Sequence, residues 1–240
     1  MTSNHKESNG TWSRRRHYWM LRISVELFAW GAAAFQGARS SCARCAGVLV
    51  FAAALGTMPS LVLAETEGDY TYDVVDNQTA TITKYNGPGG DVVVPNKLGG
   101  YPVAQIGSNA FIYCRSLTGV EIPDGVTCIG YSAFMHCVGL TSVGLPDSVT
   151  HIRDRAFNGC TKLANVVIPD SVTSIGNAAF AYSALTSVVI PDSVTSIEGW
   201  AFSGCNSLAS AVIGDGVANL GSGMFDMCFN LTSMVLLKFI

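Results

Sequence analysis

The chain has 240 residues, of which 49% are hydrophobic and 13% are charged, and this composition excludes an intrinsically disordered protein. Its net charge of −3 is unevenly distributed: residues 1–64 carry seven Lys/Arg and two Asp/Glu, whereas residues 65–240 carry seven and fifteen. Residues 65–240 are therefore acidic and lack the basic face that binding to a polyphosphate requires. Nucleic acid is excluded as a partner.

The first 64 residues have the composition of an export signal. Three consecutive arginines at 14–16 and further basic residues precede an apolar run at 46–55, and helix-breaking residues follow it. We therefore predict a leader cleaved after Ala64, and a secreted or cell-surface protein exported by a bacterial-type route. The alternative is that residues 46–64 stay uncleaved as a membrane anchor, since they approach the ~20 residues needed to span a bilayer.

Residues 65–91 predict a β-hairpin. Two β-rich runs, 70–75 and 80–85, flank Asp76 and Asn77, residue types that suit a tight hairpin turn. We expect this hairpin to act as an N-terminal cap, because the first edge of the repetitive segment that follows would otherwise be exposed.

Residues 92–240 repeat one unit about six times. The unit is L-x-x-V-x-I-P-D-S-V-T-S-I-G-x-x-A-F-x-x-C-x-x, and the decapeptide VVIPDSVTSI occurs unchanged at 166–175 and 188–197. Successive units are 23 residues apart, except for one step of 22 residues. The steps are measured between the phenylalanines of the unit, Phe111, Phe134, Phe157, Phe180, Phe202 and Phe225. A fixed period of this length predicts a solenoid, in which stacked units share a core that no single unit can form.

Each part of the unit predicts a local structure. In L-x-x-V-x-I, apolar positions alternate with exposed ones as in a short half-buried strand, which the Pro ends because it has no N–H. The Asp that follows predicts an Asx turn. The short step falls on the connection 181–184, where Ser183 replaces the usual Cys, so we expect any irregularity of the stack there.

The repeat resembles the BspA-like leucine-rich repeats of bacterial surface and secreted proteins. Four features carry the resemblance: the 23-residue step, the Cys three residues after Phe, the segment IPDSVTSIGNAAF and the opening GPGGDVVVPNKLGGYPV. The resemblance covers residues 69–240. It implies a β-rich α/β solenoid, a right-handed coil with one short parallel strand per repeat on one face. It also implies an exported protein that acts in adhesion, although a fold does not by itself fix a function.

Two further columns of the repeat have alternative interpretations. The cysteine column predicts a buried ladder of small apolar side chains, and the alternatives are disulfides between adjacent coils or a metal site. The column consists of Cys114, Cys137, Cys160, Cys205 and Cys228. The aspartates predict turns, with a calcium ladder as the alternative, at Asp124, Asp147, Asp170, Asp192 and Asp215. Because neither column has the converging ligands of a metal cage, we predict no metal and no cofactor.

The sequence contains no recognisable catalytic motif. Residues 65–240 hold two histidines, His136 and His151, which lie in different columns, and they contain no G-x-S-x-G, H-E-x-x-H or phosphate-binding Gly loop. We therefore predict that the protein is not an enzyme.

Binding is the remaining class. The outward strand positions form a flat face of small, mostly uncharged residues, for which we predict interaction residues Thr118, Glu121, Thr141, Asn165, Val167, Thr186, Val189, Val212 and Val235. This face lacks Trp, Tyr and Arg, so affinity must accumulate along the array. The alternative anchors are aromatic residues on connecting segments: Tyr101, Tyr113, Tyr131, Tyr182 and Trp200.

We predict an exported, non-enzymatic binding module for a protein or cell-surface ligand, which contacts a membrane only through an uncleaved leader. The alternative is a structural spacer, or an N-terminal fragment of a larger exported surface protein. The last repeat ends in MVLLKFI without a C-terminal cap, so we also predict self-association through this uncapped coil.

Overall fold

The computed structural model describes residues 64–218 and 220–237, so the predicted leader falls almost entirely outside the described residues. All regular structure in these two ranges is β, in strands that stack in parallel from coil to coil. The predicted solenoid is therefore confirmed, whereas the α component of the predicted α/β class is wrong.

Three antiparallel strands begin the described chain: β1 (Glu65–Glu67), β2 (Tyr70–Val75) and β3 (Thr79–Tyr85). Asp76 and Asn77 have φ of 51° and 52°, the left-handed conformation that a type I′ hairpin turn requires. The hairpin adjoins the first coil, because β3 pairs in parallel with β6 (Tyr101–Ile106). Its action as a cap stays a prediction.

The first coil contains a second, smaller hairpin. The strand β5 (Lys97–Leu98) pairs antiparallel with β6, and Gly99 and Gly100 form the turn with φ of 59° and 86°. These positive φ values suit glycine, which has no Cβ to collide with the backbone. The extra residues of the first coil are thus folded into this turn, and the coils that follow keep their regular step.

Most later coils contribute to two sheets, where the sequence predicted one strand per repeat. Short strands from V-T-S-I extend the nine-stranded sheet that contains β6: β8 (Cys128–Ile129), β10 (His151–Ile152), β11 (Ser174–Ile175) and β13 (Ser196–Ile197). The L-x-x-V-x-I segments form a second surface, called the strand face below: β4 (Gly90–Val93), β7 (Leu117–Glu121), β9 (Ser142–Gly144), β12 (Ser187–Ile190), β14 (Ser210–Ile213) and β15 (Ser233–Leu236).

The strand face is divided into two three-stranded sheets, β4-β7-β9 and β12-β14-β15. The coil between them supplies residues 163–168, which match L-x-x-V-x-I but form no strand. The predicted irregularity at 181–184 is smaller: the Ser183 N–H still donates to the Phe180 carbonyl at 3.3 Å, although Leu185 lacks the turn bond that the leucine N–H makes in the other coils. The larger disturbance therefore lies in the strand segment that precedes the shortened connection.

A ladder of aromatic rings runs through the core. Tyr85 of the hairpin stacks on Phe111 with ring centroids 4.9 Å apart, and the stack continues to Phe225 with separations of 4.8 to 5.8 Å. All but the last Phe are fully buried. The ladder links the hairpin to all six coils, so each ring fixes the position of the next.

The G-x-x-A-F-x-x-C segments form turns instead of helices because two residues in each have left-handed backbone conformations. Around Phe157 these are Arg155 and Gly159, with φ of 56° and 72°, and around Phe180 they are Ala178 and Tyr182, with φ of 51° and 58°. A left-handed residue ends a right-handed helical turn, so no helix propagates. Most of these residues are not glycine, so their left-handed conformation could not be predicted from residue type.

Candidate functional site

The strand face brings the predicted interaction residues onto one surface. Thr118 and Glu121 lie on β7, Thr141 directly precedes β9, and Thr186 directly precedes β12. Asn165 and the valines occupy the corresponding outward positions of the later coils, and all nine residues are exposed except Val212, which is half-buried. The fold therefore assembles the set that the sequence pattern selected, without showing what it binds.

The threonines on this face use their hydroxyls within the fold. Thr118 Oγ1 donates to Asp91 Oδ1 at 2.7 Å, and Thr141 Oγ1 donates to the Thr118 carbonyl at 2.9 Å. Thr186 Oγ1 donates to the Ala164 carbonyl at 3.5 Å, at the limit of a hydrogen bond. Because these donors link adjacent coils, they contribute less to ligand binding than the sequence alone indicated.

The valines form an exposed row. Val189, Val212 and Val235 are paired in register across β12, β14 and β15. Val167, in the strandless segment between the two sheets, is 80% exposed, and Val189 on β12 is 61% exposed. Val93 on β4 is also exposed, and it lies in register with Glu121. The sequence analysis missed Val93 because the extra residues of the first coil put it out of phase.

A groove of about 650 Å³ lies beside this row at the break in the strand face. Its lining includes residues 165–168 on one side and Ser187 with residues 189–193 on the other, and its exposed apolar members are Val167, Val189 and Leu237. Asp170 and Asp192 also line it, and both are exposed. The groove thus combines apolar surface with negative charge.

The comparisons with known proteins place the repeat in a family. The model of the BspA-type leucine-rich repeat region matches six copies over residues 104–232. The chain belongs to this family. A leucine-rich repeat protein of T. pallidum is 38% identical, with a TM-score of 0.68, over 71% of this chain and 81% of that one. A leucine-rich repeat protein from Bacteroides ovatus is 31% identical, with a TM-score of 0.64, over 71% of this chain and 46% of that one.

No curated protein gives a significant match to the chain. In the described ranges, no helix has the length and apolar character that crossing a membrane needs.

The cysteine column of the BspA-type repeats forms the predicted buried ladder at its three inner cysteines, whereas Cys114 and Cys228 at its ends are half-buried. Cys137, Cys160 and Cys205 are fully buried and free, and each thiol donates to the carbonyl of the Phe in the preceding coil, at 3.0 to 3.3 Å. Burial raises the pKa of Cys160 to about 12 and that of Cys137 further. Neutral thiols of this kind are poor nucleophiles, so the ladder is structural.

In the fourth of these BspA-type coils, Ser183 replaces Cys. Ser183 Oγ lies 3.2 Å from Cys205 Sγ and is buried. The column therefore accepts a hydroxyl in place of a thiol.

The P-D-S-V turn of the BspA-type repeat differs from the predicted Asx turn. The Pro146 carbonyl accepts the Val149 N–H at 3.0 Å, so the backbone closes the turn without help from the Asp. Asp192 Oδ1 instead accepts the N–H of Asp215 in the next coil at 3.0 Å. No group of three or more His, Cys, Asp or Glu side chains in the described ranges could hold a metal ion.

Most of the aromatic alternatives lie on the outer turns of the BspA-type coils. Tyr113 stacks on His136 at 5.2 Å, and Tyr131 accepts a hydrogen bond from Arg155 at 2.9 Å. Tyr182 and Trp200 are about half exposed, and a Cβ on Gly204 or Gly223 of the next coil would touch their rings. These rings therefore cover neighbouring glycines, and they lie apart from the valine row.

Proposed function

We propose that the chain is an exported, non-enzymatic binding module that holds a protein or cell-surface ligand on its strand face. The observation that carries this proposal is the in-register row of exposed valines beside a groove. Single exposed apolar residues are ordinary on protein surfaces, whereas a contiguous apolar stripe indicates an interaction site.

The chemistry of the face supports binding over catalysis. Its outward residues include Val, Thr, Ser and Asn with Glu121 and a border of aspartates, and the hydroxyl of Thr118 that meets a carboxylate, that of Asp91, links two adjacent coils. Burial of each valine contributes at most ~1–2 kcal/mol, so affinity must accumulate over several coils.

The proposal of export is supported by the basic and apolar composition of residues 1–64. N-terminal sequencing of the chain recovered from the medium or surface fraction of an expressing bacterium tests it. A mature chain that begins at Glu65 is expected, and a chain retained in the cytoplasm with its leader intact would contradict it.

Charging the valine row is expected to abolish ligand capture. In the variant Val189→Glu/Val212→Glu, a ligand must bury two carboxylates, so we expect at least a tenfold loss of bound protein in a pull-down from host-cell and matrix extracts. The control is Val75→Glu, since Val75 is 44% exposed on the hairpin and lies outside the strand face.

The control variant should bind as the unaltered chain does. If all three proteins captured the same amount of ligand, the binding site would lie on another surface, such as the aromatic turns. If the unaltered chain captured no ligand from either extract, the binding proposal would fail and the spacer hypothesis would be favoured.

The last strand supports a second proposal, that of self-association. Met234 and Leu236 on β15 are 51% and 52% exposed, whereas their counterparts on β12, Val188 and Ile190, are 2% and 1% exposed. An unpaired apolar edge strand is a template for pairing with another chain. Light scattering over a concentration series is expected to show dimers of the full chain, and the variant Met234→Lys/Leu236→Lys is expected to restore the monomer. A monomer at every concentration for the unaltered chain would contradict the proposal.

A further inference from the structure

The break in the strand face lies between two unpaired sheet edges. On one side β9 pairs only with β7, and on the other β12 pairs only with β14. The four residues between them, 165–168, make no backbone hydrogen bond to the described part of the chain. Four consecutive residues in an otherwise laddered surface thus have free backbone donors and acceptors.

Such groups must be satisfied by water or by a partner. An extended peptide is the partner whose own backbone repeats donors and acceptors at strand spacing, and it binds by adding to an exposed strand. A folded, convex protein surface offers no such series. The unpaired backbone therefore favours an extended segment over a globular surface as the occupant of the groove.

The lining of the groove selects side chains as well. Val167 and Val189 are exposed apolar residues on adjacent coils, and Leu237 adds a third exposed apolar side chain to the lining. A volume of about 650 Å³ accommodates several residues of a peptide. Alternate side chains of an extended peptide point to one face, so a β-branched residue at every second position would contact these valines.

The charge of the groove is negative. Asp170 and Asp192 line it, and among the described residues that line it there is no Lys or Arg. The neighbouring coils carry Asp147 and Asp215 at the same position of the repeat. A Lys or Arg of the ligand would therefore meet opposite charge in this region, and an acidic peptide would be repelled.

We propose that this groove binds an extended peptide that has β-branched residues at alternate positions followed by a Lys or Arg. The peptide backbone pairs with residues 165–168, its apolar side chains contact Val167 and Val189, and its cation reaches Asp170 and Asp192. This inference rests on the proposed function and specifies the ligand of that face.

A second copy of the chain is a poorer occupant of the groove. Residues 65–240 carry fifteen acidic and seven basic residues, so two copies would bring negative surfaces together. Self-association through β15 uses the outer edge of that strand, although Leu237, the residue that follows β15, also lines the groove.

Selection of random dodecapeptides displayed on phage, with the full chain as the target, tests the proposal. We expect enrichment of Val, Ile or Thr at alternate positions together with Lys or Arg. A synthetic peptide of the enriched sequence should bind at least tenfold more weakly to Asp170→Asn/Asp192→Asn and at 0.5 M salt. The matched control is Asp76→Asn/Asp124→Asn, which removes the same charge from exposed positions on the hairpin and on a coil distant from the groove, and which should bind normally.

Backbone pairing is tested with the same peptide after N-methylation at alternate residues. Methylation removes the N–H donors and keeps the side chains, so we expect binding to be lost when the methyl groups lie on the paired edge. Asn at position 192 keeps the oxygen that accepts the Asp215 N–H, so the substitution preserves this contact between the coils.

The outcomes separate this inference from the proposed function. The inference would be overturned if the selected peptides lacked basic residues, or if they bound Asp170→Asn/Asp192→Asn as well as the unaltered chain. If such peptides nevertheless failed to bind Val189→Glu/Val212→Glu, the strand face would still be the binding site. Absence of any selected peptide, with protein ligands still captured in the pull-down, would overturn the inference alone. Dimerisation that competes with peptide binding would identify a second copy as the occupant and would also overturn it.

Discussion

Replacing Phe157 with Ala is expected to lower the free energy of unfolding by about 3–5 kcal/mol, the range for Phe-to-Ala changes in protein cores. Phe157 is fully buried and lies between Phe134 and Phe180, with both ring centroids 5.2 Å away. The substitution leaves a cavity in the middle of the stack and removes two ring contacts. Because each coil is stabilised by its neighbours, the cavity weakens the coils on both sides.

Urea denaturation followed by circular dichroism measures this effect. The control is Phe225→Ala, because Phe225 is only partly buried and has one ring neighbour, Phe202, at 5.8 Å. We expect it to destabilise the fold by less than half as much. Equal losses for the two variants would show that the coils do not depend on a continuous aromatic ladder.

The columns of the repeat explain how much of this fold the sequence predicts. Period and apolar alternation identify the residues that must be buried, and the Phe, Ile and Leu columns lie in the core in every coil but the last, where Leu220 is exposed. The same alternation separates outward from inward strand positions, which is why the predicted interaction residues lie on one surface. Apolar patterning therefore predicted both the core and the face.

Hydrogen bonds between coils were beyond the reach of the sequence. In D-S-V-T, the Ser and Thr hydroxyls donate to the preceding coil, as when Ser171 Oγ binds the Val149 carbonyl at 2.7 Å and Thr173 Oγ1 binds the Thr150 carbonyl at 3.1 Å. One repeat alone offers several local partners for these groups, and stacking decides among them. For the same reason the second strand of each coil was missed, since its partners exist only in the neighbouring coils.

The break at 165–168 also follows from stacking. Residues 166–168 open a decapeptide that is identical in letters to 188–197, yet they form no strand, whereas residues 188–190 belong to β12. The local sequence is the same, so the difference arises from the neighbouring coils and the shortened connection between the two copies. A binding site built on such a break cannot be found by inspecting one repeat.

Alkaline pH is expected to unfold the protein through its cysteine ladder. Burial raises the pKa of Cys160 from its ordinary value near 9 to about 12, and it raises the pKa values of Cys137 and Cys205 as well. Below pH 9 the thiols are neutral in both the folded and the unfolded states, so their titration does not reduce the free energy of unfolding. Between pH 9 and about 12 the unfolded state loses protons that the folded state retains, so stability falls as pH rises. Each buried thiol contributes a loss of about 1 kcal/mol per pH unit.

The variant Cys137→Ser/Cys160→Ser removes two of these titrating groups, and the buried Ser183 shows that the column accepts a hydroxyl. Urea denaturation at pH 8 to 11 is expected to show a slope of stability with pH that is shallower by roughly 2 kcal/mol per pH unit in this variant. Cys128→Ser is the matched control, because Cys128 is half-buried and lies outside the ladder. Tyr70 and Tyr72, whose pKa values burial raises to about 12, titrate in all three proteins and cancel in the comparison. The same slope in the ladder variant and the control would show that the thiols are not held neutral by the stack, and the protein would then owe its alkaline sensitivity to its tyrosines.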